Sequence, residues 1–218
     1  MLRKLRWKIA QQAEIRWWKN YLKDKDTAQY LEWKKQYWQA ILDELKDVIS
    51  IHHSQNILDA GCGPAGVFLN LQHCRTIAVD PLLDEYENNL SQFKKHQYPS
   101  VSFITSQMEN IDLTEKMDVI FCMNAINHVH NLPLSYDRLV SLLKPKGVLI
   151  ISIDGHNHSF FKRLFRLLPG DILHPHQYDL SEYETFLKQR KLKILKTVCS
   201  KKEFFFNHYI QVAVAPEA

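Results

Sequence analysis

The sequence predicts an α/β protein, in which one mostly parallel sheet of seven strands is covered by helices and preceded by a helical extension. Three observations carry this. Beyond about residue 50, short β-branched runs alternate with longer amphipathic stretches, the pattern of buried parallel strands joined by crossover helices. A glycine-rich turn follows the first of those runs directly. Upstream, from about Leu5 to Val48, chain breakers are almost absent and apolar residues recur at helical spacing.

Taken in order, Leu5, Ile9, Ala13 and Trp17 keep one helical spacing, and Tyr30, Trp33, Tyr37, Ile41 and Leu45 keep another. Two or three helices are predicted there, divided near Lys23–Thr27. The chain is expected to divide into an extension over 1–49 and an α/β domain over 50–218. Strands are predicted at Asn56–Asp59, Thr76–Asp80, Val101–Ser106, Met117–Met123 and Gly147–Asp154. Helices fit between them at Val67–Gln72, Asp84–His96 and Pro133–Leu143, the last ending in the stop signal Lys144-Pro145-Lys146-Gly147. A helical stretch at Ser159–Leu168, a turn at Leu168-Pro169-Gly170 and a helix at Ser181–Gln189 follow, then strands at Leu192–Ser200 and His208–Ala215.

Composition narrows the class. With 218 residues, 45% hydrophobic and 24% charged, the chain suits one decorated globular domain and neither wholesale disorder nor a membrane-embedded fold. A net charge of +4 without a Lys/Arg block does not call for a nucleic-acid partner. The first twenty residues hold neither a signal-peptide core nor a spanning segment, so a cytoplasmic location is expected. The cysteines Cys62, Cys74, Cys122 and Cys199 form no CxxC and are expected as reduced, packed thiols.

Chemistry concentrates in the stretch from Asn56 to Gly66. There a buried strand runs into Gly61, Gly63 and Gly66, with Asp59 two residues before the first glycine. Glycines allow a tight turn and close backbone approach to a ligand, and the helix that follows offers free N–H groups, so a nucleotide-like cofactor is expected. About twenty residues past Asp59, Asp80 ends the second strand, where a carboxylate can accept hydrogen bonds from both hydroxyls of a ribose.

Residues 56–66 resemble the first motif of class I S-adenosylmethionine-dependent methyltransferases, hydrophobic residues followed by DxGxGxG, with the last glycine one position late. The resemblance covers about residues 50–215. It implies a Rossmann-like, doubly wound sheet with an antiparallel last strand, S-adenosyl-L-methionine as cofactor and methyl transfer as the activity. In these terms Asp59 supports the loop and the amino end of the cofactor, Gly61 and Gly63 approach its methionine part, and Asp80 takes the ribose. Residues 103–110 resemble the segment that carries an acid near the adenine. Gln107 stands in its place here, and Met108 is expected to contribute its backbone N–H and an apolar contact. Residues 117–130 resemble the fourth strand and the His-rich loop of small-molecule methyltransferases related to the ubiquinone and menaquinone enzymes, which puts Asn124 and His128 in the pocket. A dehydrogenase shares the turn and the acid, but Asp before the glycines and a closing hairpin suit it poorly.

Methyl transfer from a sulfonium needs an in-line nucleophile, and a base only where the acceptor starts protonated. His128 is the candidate base and His130 the reserve, since imidazole titrates near neutrality. Three His-x-His pairs, at 128/130, 156/158 and 174/176, follow or lie beyond the carboxyl ends of strands. Metal-dependent catechol-type members use carboxylates with an Asp-Asn pair at these places, and no such pair follows the fifth strand here, so no metal is expected and His174 and His176 are read as lining a polar substrate pocket. Trp17, Trp18, Trp33, Tyr37 and Trp38 are expected to build an aromatic roof, with Trp18 against the substrate. A peripheral contact of this basic, Trp-bearing face with a membrane surface is a further reading. The expected substrate is a small molecule accepting methyl on oxygen or nitrogen. The alternatives are an RNA or protein methyltransferase, against which Asn124-Ala125-Ile126-Asn127 lacks the base-methylating tetrapeptide, and a catalytically silent partner subunit.

Overall fold

Strands form where branched and aromatic residues run without interruption, and they are short because polar turns bound them. The computed structural model describes residues 2–158, 176 and 178–217. Helices α1 (Leu2–Leu22) and α2 (Thr27–Leu45) come first, and Asp26 caps α2 by accepting the Gln29 N–H at 2.9 Å. Strands β1 (Asn56–Ala60), β2 (Arg75–Asp80), β3 (Val101–Thr105), β4 (Met117–Cys122), β5 (Leu143–His156), β6 (Lys193–Lys202) and β7 (Phe206–Val214) build one sheet in the order β3-β2-β1-β4-β5-β7-β6. Adjacent strands from β3 through β5 pair in parallel, and β7 runs antiparallel to both β5 and β6. The seven-stranded sheet with an antiparallel last strand is thus as the sequence implied.

Alternation along the strands sends neighbouring side chains to opposite faces. Ile57, Val119 and Phe121 join one hydrophobic cluster with Phe68, Tyr86 and Phe93, while Leu58 and Ile120 join a second with Tyr136, Tyr183 and Leu187. Leu22, Tyr30, Trp38 and Leu45 belong to the first cluster, so α1 and α2 pack on the α/β unit through a shared core. The order of connection reverses between β1 and β4, and the crevice beyond their carboxyl ends is where open α/β sheets bind ligands.

Three predicted elements differ. Val67–Gln72 is not an α-helix but a 3-10 turn over Val67–Asn70, because β2 begins at Arg75 and too few residues remain for two helical turns. The predicted helix Asp84–His96 is α3 (Leu83–Asn89). Leu90 leaves it in extended conformation, and the Lys95 N–H folds back onto the Glu87 carboxylate at 2.7 Å. Strand β5 starts at Leu143 rather than Gly147: α4 (Leu132–Leu142) runs straight into the sheet, where Leu143 pairs with Met117 and Val148 with Val119. Residues 144–147 bulge between those pairs, with Lys146 at φ 60. Helix α5 (Leu180–Gln189) opens on a capping box, Asp179 accepting the Glu182 N–H at 3.0 Å and Glu182 returning the bond at 2.9 Å. The predicted helix Ser159–Leu168 and turn Leu168-Pro169-Gly170 lie outside the described residues. β3 and β6 are the edges, and four of the ten β6 residues are Lys193, Lys196, Lys201 and Lys202.

Candidate active site

The site grows from the turn after β1. Gly61 sits at φ +75, its N–H bonded to Val79 O at 2.7 Å, and an added Cβ would collide with that of Ala125. Only glycine combines this left-handed conformation with so close a neighbour. Gly63, at φ +57, donates its N–H to Asp80 Oδ2 at 3.0 Å, and Asp80 Oδ1 accepts the Leu82 N–H at 2.8 Å. The Asp80 carboxyl thus clamps the glycine turn to the entry of α3. Burial lifts it to about 6, and those two N–H groups hold it down.

Asp59 has a different place. Its Oδ2 accepts the Phe68 N–H at 3.0 Å, a Cβ on Gly66 would collide with it, and it is buried behind the turn rather than on the cavity wall. Burial raises it to about 7 against the pull of that N–H. The structure therefore gives Asp59 the support of the loop, and no face toward the cavity.

At the crevice lies a cavity of about 150 Å³, partly open to solvent, walled by the glycine turn, Asp80, Gln107 and Met108. Beyond β4 the wall is formed by Asn124 and His128. Asn124 turns the chain at φ 53, a conformation Asn tolerates, and exchanges hydrogen bonds with Ser152 Oγ at 2.6 and 3.1 Å. His128 is half-buried on a 3-10 turn (Ile126–His128), fixed by its N–H on Ala125 O at 3.0 Å and by buried Asn127, which accepts the Tyr183 hydroxyl at 2.9 Å.

The other histidines stand apart from this wall. His130 is exposed. His176 lies behind the loop, its Nε2 at 2.8 Å from Val129 O, and burial lowers its pKa. His174 lies outside the described residues. Among the described residues, no three His, Cys, Asp or Glu side chains gather as a metal site.

The roof comes from the extension. Trp18 and Trp38 line the cavity, Trp38 donating its indole N–H to Ala65 O at 2.9 Å, whereas Trp17, Trp33 and Tyr37 turn to solvent, against the five-residue roof expected. Sequence reasoning missed Gln11, Glu14 and Lys34, which also face the cavity. A signal was there: Glu14 and Lys34 each stand one helical turn before a cavity tryptophan, hence on the same face. Burial lowers Lys34 to about 8, opposed by Asp59, and its Nζ is 4.5 Å from the Trp38 ring centroid.

The donor set fits an adenosyl amino acid. A carboxyl and an amide stand near an apolar wall of Val79 and Met108, and the backbone of the glycine turn faces the same space. Gln11 Oε1 is buried with no hydrogen-bond partner among the described residues, an acceptor left for a ligand.

Comparison with known proteins agrees with this geometry. A family model described as a methyltransferase domain matches residues 51–203. A ubiquinone biosynthesis O-methyltransferase of Rickettsia bellii is 30% identical over 114 residues, 51% of this chain and 47% of the relative. One from Bradyrhizobium diazoefficiens is 28% identical over 48% of this chain and 42% of the relative. The chain thus spans about half the length of the curated relatives it matches. Among solved structures, an S-adenosylmethionine-dependent methyltransferase of Clostridium acetobutylicum shares the fold at a TM-score of 0.62 and 19% identity, over 91% of this chain and 95% of the other. The magnesium protoporphyrin IX methyltransferase of Synechocystis, solved with bound S-adenosylhomocysteine, does so at 0.61 and 16%, over 91% and 92%. The chain belongs to the methyltransferase-domain family, among the class I S-adenosylmethionine-dependent methyltransferases.

Proposed function

We propose that this protein transfers a methyl group from S-adenosylmethionine to an oxygen or nitrogen of a small-molecule metabolite. The observation that carries it is the meeting, in one cavity, of the glycine turn, Asp80 and His128, roofed by Trp18. The cofactor supplies an electrophilic methyl on a sulfonium. Asp80 holds the ribose, Gln107 and Met108 take the adenine, and the Gly61–Gly63 backbone takes the amino-acid end. His128 removes a proton from the acceptor or orients it, and Trp18 closes the pocket against water. The curated relatives are named for O-methyl transfer in ubiquinone biosynthesis, which supports an oxygen on an aromatic or lipidic acceptor.

Residues 1–49 act in this reading as a lid, and the modest charge together with the Asn124–Asn127 sequence argues against nucleic acid as substrate. The exposed rings of Trp17, Tyr21, Trp33 and Tyr37 suit a peripheral contact with a membrane that holds a lipidic acceptor. No described helix is long and apolar enough to cross a membrane.

Calorimetry should detect S-adenosylhomocysteine binding, and labelled S-adenosylmethionine should transfer its methyl to a member of a panel of phenols, catechols and amines. No binding at high micromolar ligand overturns the reading. With an acceptor in hand, His128→Ala should lower kcat by roughly 10²-fold at nearly constant cofactor affinity. A His128→Gln enzyme with full activity and an unchanged pH profile removes the base role.

A further inference from the structure

The roof helix brings a second carboxyl to the cofactor cavity. Glu14 of α1 lines the same cavity as Asp80, and fully buried Tyr86 stands beside both: its hydroxyl donates to Glu14 Oε1 at 3.4 Å and helps to hold down the nearby Asp80 carboxyl. A phenol has one proton to give, so it serves one of the two at a time. Each Asp80 oxygen already accepts a backbone N–H. Among the described residues, the Glu14 carboxyl is held by side chains alone, the Tyr86 hydroxyl at 3.4 Å and Gln11 Nε2 at 3.5 Å, and it retains lone pairs beside the unpartnered Gln11 Oε1. A ribose presents two neighbouring hydroxyl donors, and two carboxyls on the wall of one cavity are the complementary acceptors.

We propose that Glu14 is a second ribose-binding residue of the cofactor site, which accepts a ribose hydroxyl alongside Asp80 and so draws helix α1 closed over the bound cofactor. The inference rests on the cofactor being an adenosyl sulfonium. Titratable groups face the Glu14–Asp80 pair from neighbouring elements: Tyr86 on α3, Cys62 in the glycine turn and Asp59 on β1, with Lys34 of α2 set against Asp59. Burial, then repulsion from Asp80, lifts Glu14 to about 7, so near neutrality the empty pair retains a proton. Two arriving hydroxyls supply the donors that proton supplied, and the proton leaves to solvent.

Calorimetric titration of the full chain with S-adenosylhomocysteine near pH 6.5, in buffers of different ionisation enthalpy, should show proton release on binding, and Glu14→Gln should remove most of it. Glu14→Ala should weaken S-adenosylhomocysteine by roughly 10-fold, the scale of a hydrogen bond to a charged group, but its 2′,3′-dideoxy analogue by less than about 2-fold. Ligand should also slow amide exchange across residues 9–22 in the wild type. Equal losses for both ligands, or none, would mean that Glu14 only packs the helix, and the proposal falls. Tyr86→Phe offers a second variant: it removes a donor that holds the carboxyls down, so proton release on binding should extend to higher pH while binding stays measurable, and an unchanged pH profile of release likewise overturns the proposal. Wild-type protein that bound no S-adenosylhomocysteine would overturn the cofactor assignment itself, a distinct failure that takes this inference with it.

Discussion

Asp59 and Asp80 look alike in the sequence, acids at the ends of adjacent strands, yet their surroundings divide their work. Asp59 meets backbone on the far side of the glycine turn and is 1% exposed, whereas Asp80 meets backbone on one side and the cavity on the other. Both are lifted by burial, to about 7 and about 6, and Glu14 joins them at about 7. Unfolded carboxyls titrate near 4, so between about pH 4 and pH 7 the folded chain binds more protons than the unfolded one through these groups. Their stabilising contribution is complete below about pH 4 and is lost as pH rises through 6 to 7. Melting curves of ligand-free protein should therefore show Tm falling from pH 5.5 to 7.5. A Tm that climbs over this interval contradicts the assignment.

At the scale of elements, the glycine turn concentrates the strain. Gly61→Ala must place a Cβ against Ala125 at a left-handed φ and should cost about 2–4 kcal/mol, the sum of a backbone penalty and overpacking. Chemical denaturation with an unchanged m-value would measure it, and a loss below about 0.5 kcal/mol would mean that the turn relaxes freely. The parallel strands were legible in the sequence because burial on both faces makes them continuous apolar runs: β1 and β4 fall within a residue of the expected limits. What followed β2 was less legible, since Asn88, Asn89 and Ser91 hold no strong stop signal and the chain is turned back by a side-chain bond from Glu87, which is a tertiary fact. The bulge at 144–147 was readable as a Pro/Gly break but not as an interruption inside a strand, because the pairing of Leu143 with Met117 depends on the neighbouring strand. In the site, Asp80, Gly63 and His128 could be placed from strand ends alone. Glu14 and Lys34 were passed over despite their i,i+4 spacing from Trp18 and Trp38, because helical periodicity counts apolar residues and treats the charged ones between them as solvent-facing.

The extension and one face of the sheet are joined by a hydrophobic cluster that runs from Leu22, Tyr30 and Trp38 through Phe68 and Tyr86 to Phe121 and Ile150. All five tryptophans, Trp7, Trp17, Trp18, Trp33 and Trp38, lie in the first 38 residues, so tryptophan fluorescence reports on the extension while far-ultraviolet circular dichroism averages over the chain. If the shared core couples the two parts, thermal transitions by both probes should coincide. A fluorescence transition several degrees below the other would mean that α1 and α2 melt as a separate unit. The sheet's outer border at β6 has a consequence of another kind. An unpaired strand edge is a template for the edge of a second copy, and β6 meets that hazard with Lys193, Lys196, Lys201 and Lys202 along ten residues. Lys196 is paired with Asp47 and Lys201 with Glu203, so two such borders brought together would set chiefly Lys193 and Lys202 against their counterparts, a repulsion that opposes open-ended stacking of sheets into fibres. That protection is electrostatic, and concentrated salt would weaken it.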